Sequence, residues 1–134
     1  MTNQLDKKSA ADLYLEDAVE NAPPVKLVRM LAEGAVRFLD RAMANPPAAD
    51  RKVFVAACQR ADAILIELRL ALVPAAGSDV AAKLENLYLF CEERIGKALL
   101  ESRIEPLGEA RGVLVVLLDA WQRIETPVGT DAGS

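Results

Sequence analysis

Cys58 and Cys91 are the only strong nucleophiles in the 134-residue chain, and it contains no histidine. That rules out a Cys–His pair or a Ser–His–Asp triad. It also rules out the Glu-x-x-His ligand sets that build di-iron sites in helical bundles. Two cysteines alone are too few for a structural zinc site. Both sit in apolar, helix-patterned surroundings, as buried thiols in a reducing compartment do. Glu92-Glu93 is followed by Arg94 and reads as a solvated face of mixed charge. No glycine-rich phosphate loop or nucleophile elbow is present. Gly34, Gly96, Gly108 and Gly112 stand singly in helical patterns, where close helix packing is the simplest reading. The expectation is a non-enzyme with no cofactor, no metal and no catalytic residue.

Composition narrows the class further. Apolar residues make up 52% of the chain and charged residues 27%, enough for a folded core, while aromatics are only 4%. Leu, Val, Ile and Ala must therefore fill that core. The net charge is −4 and no basic block is interleaved with aromatics, which argues against nucleic acid as a partner. No apolar run reaches the roughly 18–20 residues of a membrane span, so no membrane insertion is expected. The polar start MTNQLDKKSAAD lacks a secretory core, and the chain reads as cytoplasmic.

Turn signals divide the sequence into helical pieces. Pro23-Pro24 ends a short amphipathic stretch and opens a long one. Asn45-Pro46-Pro47 closes the long piece, with Asp50 placed as the next N-cap. Pro74, Gly77 and Ser78 form a second break, with Ser78 as N-cap, and Pro106 suits a first helical turn. The predicted long helices run over Pro24–Ala44, Asp50–Leu72, Ser78–Glu101 and Pro106–Ile124.

Each long helix carries an apolar stripe at helical spacing. The first long helix has Leu27, Leu31, Ala35, Phe38 and Ala42, widened by Val28 and Leu39. The next has Phe54, Cys58, Ala61, Leu65, Leu68 and Leu72; then come Val80, Leu84, Leu87, Tyr88, Cys91, Ile95 and Ala98; and last Leu107, Ala110, Leu114, Leu117, Leu118, Trp121 and Ile124. Short connections make sequence neighbours antiparallel. The prediction is all-α: an antiparallel up-down four-helix bundle with an additional short N-terminal helix. One domain spans residues 1–126, with a cap segment at 10–22 and a flexible tail at 127–134.

Val55, Ala63, Ile66 and Leu70 form a second apolar stripe, roughly opposite Phe54. Val25, Ala32, Val36 and Met43 broaden the apolar arc of the preceding helix in the same way, and Leu89 and Leu100 do so more weakly further on. A simple bundle does not need these outward apolar residues. They suggest a groove for another helix, or an edge covered by the N-terminal segment.

With these residues in place, the chain resembles the FliS family of flagellar export chaperones. The family opens with Tyr, Val five residues on, a short Thr-Ala-Ser/Thr-Pro stretch, then Leu-x-x-Met-Leu-Tyr-Asp-Gly-Ala. Here the matching residues are Tyr14, Val19, Asn21-Ala22-Pro23-Pro24 and Leu27-Val28-Arg29-Met30-Leu31-Ala32-Glu33-Gly34-Ala35. Ala61, Ile64, Glu67 and Leu68, then Leu84-Glu85-Asn86-Leu87-Tyr88, then Trp121 follow in family order. The differences are Asn21 at the Thr position, Pro23 at the Ser/Thr position, and Ala32-Glu33 for Tyr-Asp.

The resemblance implies a cytosolic chaperone. It would bind the disordered C-terminal segment of flagellin, prevent its early polymerisation and assist type III export, with an export-gate component as a second partner. The candidate client-contact or cap residues are Tyr14, Val19, Pro24, Leu27, Met30, Val36, Val55, Ile66, Leu70 and Tyr88. Tyr14 and Val19 would belong to a hinged cover that yields to the client. Two alternatives stay open: a bundle of the same fold that binds a different secreted or regulatory helix, and a structural homodimer.

Overall fold

The computed structural model describes residues 25–72 and 77–125. The expected N-terminal helix, with Tyr14 and Val19, the expected helix start Pro24, and the tail at 127–134 lie outside the described residues. The described residues form four helices and no strand: α1 Val25–Ala44, α2 Pro47–Leu70, α3 Asp79–Glu101 and α4 Glu105–Glu125.

Local chemistry sets the ends. Asn45 turns its side-chain amide back to donate to the Arg41 carbonyl at 2.9 Å, closing α1. The chain then enters α2 in two steps. Pro47 opens a single turn, and Asp50 breaks it with an extended backbone (φ −153°, ψ 89°). Asp50 is then the N-cap of the long part of α2, because the Val53 N–H donates to its carboxylate at 3.2 Å. Ser78 caps α3 as expected, its hydroxyl accepting from the Ala81 N–H at 3.2 Å. Pro106 falls in the first turn of α4, where a missing N–H costs nothing. Gly77, with φ +96°, makes the turn before Ser78 in a region that side chains disfavour.

The helices form a closed ring. α1 packs on α2 and α4, and α3 packs on α2 and α4. Cross-helix contacts give the directions. Arg51 at the start of α2 donates to Ser102 just past α3, while Arg69 near the end of α2 reaches Glu92 further back in α3, so these helices are antiparallel. Arg94–Glu109 and Tyr88–Trp121 establish the same for α3 and α4. This is the up-down bundle.

The core is wholly apolar, with no buried polar or charged residue among the described ones. The α2 stripe from Phe54 to Leu72 is buried as the sequence implies. The α1 stripe is buried in part: Ala35 and Ala42, with Val28 and Leu39, are inside, and Leu31 and Phe38 are half-buried. Its inward residues are Val28, Ala32, Ala35, Leu39 and Ala42, while Leu27 faces solvent. The charged residues of α1 fall on one arc, and Val28, Ala35, Leu39 and Ala42 opposite it are buried, so periodicity sets the rotation. Gly34 lies close to α2: a Cβ added there would meet Ile64 at 3.4 Å, in van der Waals contact. Gly96, Gly108 and Gly112 have no such neighbour within 4 Å, so close packing explains only one of the four helical glycines. In α3, Leu87 is partly exposed and Ala81 is inside.

Candidate interaction surface

The described residues hold no group of His, Cys, Asp or Glu arranged for a metal ion. Both cysteines are free and buried. Burial pushes the Cys58 thiol up to about 11 and, with the nearby Glu92 charge adding to it, the Cys91 thiol up to about 12. The Cys91 thiol lies 3.6 Å from the Ala110 carbonyl, to which it donates weakly. Neither is poised as a nucleophile.

The exposed apolar residues lie in rows beside the ion pairs that mark each seam. On the α2–α3 seam, Arg69 makes a forked pair with Glu92, at 2.7 and 3.1 Å. Ile66 precedes Arg69 by three residues and Leu89 precedes Glu92 by three, so both flank this pair on the outer surface. Leu70 continues the row and is 58% exposed. Asp62 lies one turn before Ile66. Partial burial raises its carboxyl pKa, Glu92 adds to the rise, and Arg69 opposes it.

On the α3–α4 seam, Arg94 pairs with Glu93 and Glu109 and stacks over Phe90, 5.5 Å from the ring centre. Leu87 lies one turn before Phe90, and Val113 and Val116 follow Glu109 on α4. Leu87, Phe90 and Val116 are exposed, Val116 to 69%. Near the start of α1, Leu27 and Met30 are exposed side by side at the edge facing α2.

The expected contact residues therefore divide. Leu27, Met30 and Leu70 are exposed, and Val55 and Ile66 are half-buried. Val36 and Tyr88 lie in the buried core, Tyr88 with its ring 6.4 Å from that of Trp121. A client reaches neither without displacing what covers it. The sequence reading missed Leu87, Phe90 and Val116. The signal was there in two unbroken apolar runs, Leu87-Tyr88-Leu89-Phe90 and Val113 to Leu118, since a helix cannot turn four or more successive residues inward.

The described residues contain no helix long and apolar enough to cross a membrane. A family model described as flagellar protein FliS matches residues 6–128. The chain is 33% identical over 118 residues to the flagellar secretion chaperone FliS of Campylobacter jejuni subsp. jejuni, covering 86% of this chain and 90% of the relative. It is 30% identical over 118 residues to the protein of the same name from Salmonella typhimurium, covering 87% of each. The match spans all four helices and the exposed apolar seams, and the chain belongs to the FliS family of flagellar proteins.

Proposed function

We propose that this protein is a cytoplasmic flagellar secretion chaperone, not an enzyme, that holds the disordered C-terminal segment of a flagellin. Family membership supports the chaperone role. The observation that carries the client mode is the set of large apolar side chains left exposed along the seams: Leu27, Met30, Leu70, Leu87, Leu89, Phe90 and Val116. A disordered amphipathic segment that folds on binding buries about 1,000–3,000 Å² and loses about 2–5 kcal/mol or more to its own ordering. Ready-made apolar seams on a rigid bundle suit that exchange. By keeping the client's apolar face occupied, the complex would block early polymerisation and present the segment for export.

In this reading Leu27, Met30, Val55, Ile66 and Leu70 contact the client. Tyr14 and Val19 belong to a cover, set off from the first long helix at Pro24, that shields a seam when no client is bound. The direct test mixes the protein with the C-terminal fragment of the flagellin encoded in the same genome. The fragment should gain helical circular dichroism on mixing, and full-length flagellin should fail to polymerise in the presence of the protein. A fragment that stays disordered at saturating protein, with polymerisation unaffected, would refute the proposal.

A further inference from the structure

We infer that a second groove, between α1 and α2 at the Phe38 end, docks a partner segment in which carboxylates flank an apolar side chain. The groove has a volume of about 330 Å³, room for one or two side chains. Its apolar lining is Phe38, Val53, Ala56 and Ala57, and Arg41, Lys52 and Arg60 line it with cations. Arg51 joins Lys52 on the adjoining shelf of α2.

Charge gives the occupant's chemistry. Arg29, Arg69, Arg94, Arg103, Arg111 and Arg123 each pair with a carboxylate of this chain. Among the described residues no carboxylate pairs with Arg41, Lys52 or Arg60. Arg60 instead lies over the Phe38 ring, 5.7 Å from its centre, which leaves the guanidinium at the groove's edge. Nearby acids are committed elsewhere. Asp50 accepts the Val53 N–H, and Asp40 faces α4 and pairs with Arg111. In a chain of net charge −4, a cluster of uncompensated cations marks a place for outside anions.

Helix stability accounts for Arg41, a cation in the last turn of α1, but not for the pair on α2. Arg51 and Lys52 directly follow the Asp50 cap, at the positive end of the helix dipole, where cations are unfavourable. The helix dipole, Arg51 and Lys52 there face a single carboxylate, that of Asp50. A nucleic acid suits the groove less well, because part of its lining is apolar and the chain as a whole repels a polyanion.

The test uses the full chain and a fluorescein-labelled synthetic peptide of about twelve residues, with Glu and Asp on both sides of a central Leu-Phe. A control peptide carries Gln and Asn instead. Fluorescence anisotropy should show the acidic peptide binding at least about tenfold more tightly than the control, with the difference shrinking in salt. Lys52→Glu should weaken binding by about tenfold, since an attraction becomes a repulsion. It should leave the thermal midpoint equal or higher, because an acid in the first turn favours the helix. Arg41→Gln, on α1 and off the Val55 shelf, should weaken the acidic peptide and leave the flagellin fragment's affinity unchanged, so this inference and the proposed client role fail separately. Equal binding of the two peptides, indifference to Lys52→Glu, or tighter binding of an oligonucleotide of equal charge would overturn the inference. A rise in peptide affinity on deleting residues 1–22 would also overturn it, by showing the chain's own acidic N-terminal segment to be the occupant.

Discussion

Leu65→Ala and Leu70→Ala make the same chemical change in the same helix, and the structure requires very different costs. Leu65 is fully buried, so truncation loses its transfer free energy and leaves a cavity. Comparable substitutions cost about 2.7–5.0 kcal/mol. Leu70 keeps 58% of its surface in water. Full burial of a leucine is worth about 1.5–3 kcal/mol, so the shielded part of Leu70 contributes at most about 1 kcal/mol, and water fills the space it leaves. A compact unfolded state lowers both figures but not their order. Urea titrations followed by far-UV circular dichroism should therefore show a large drop in midpoint for Leu65→Ala and a small one for Leu70→Ala, with unchanged slopes. Equal losses would mean that α2 turns a different face inward and that the outer α2–α3 seam is misplaced.

The other expectations rest on single groups. Gly96→Ala, Gly108→Ala and Gly112→Ala replace exposed helical glycines with nothing nearby to clash, so each should stabilise by about 0.5–1 kcal/mol in the same titration. Gly34→Ala should be tolerated as well, because its Cβ would only come into van der Waals contact with the end of the Ile64 side chain. Cys58 and Cys91 should react with a thiol reagent at pH 8 only as fast as the bundle opens, and fast labelling of the native protein would contradict their burial. The raised thiol pKa values contribute stability that is complete below the unfolded value of 9.0 and lost as pH climbs towards about 11 and 12. Asp62→Asn should raise the thermal midpoint at neutral pH, because burial and Glu92 disfavour the charged carboxylate. The raised pKa makes native Asp62 protonate first on acidification, so the gain should vanish at low pH. A gain that grows on acidification would contradict the sign.

The helix boundaries were legible because their signals are local. Asp50, Ser78 and Pro106 act within one turn, and each does what its chemistry predicts. The α2 stripe was legible because Phe54, Cys58, Ala61, Leu65 and Leu68 repeat at steps of four and three. In α1 the charged arc points to the buried face opposite it, and the difficulty lay at the edges of the apolar arc, where Ala32 is buried while Leu27 is exposed and Leu31 half-buried. The surface suffered most from this. Val36 and Tyr88 fit the pattern of an outer contact or a family motif and are buried, while Phe90 and Val116 drew no notice and are exposed. The unpaired cations of Arg41 and Lys52 meet only through the packing of α1 on α2, which no sequence spacing displays.

The account stands most directly on calorimetric titration of the flagellin C-terminal fragment into the wild-type protein and into Leu70→Asp. A charge on this row must be dehydrated without a partner when the client closes over it. The expected result is saturable binding by the wild type and binding at least about tenfold weaker by Leu70→Asp, with both proteins unfolding at similar urea concentrations. No binding by the wild type, or the same affinity for both proteins, would contradict the assignment of the outer apolar seams to a flagellin client.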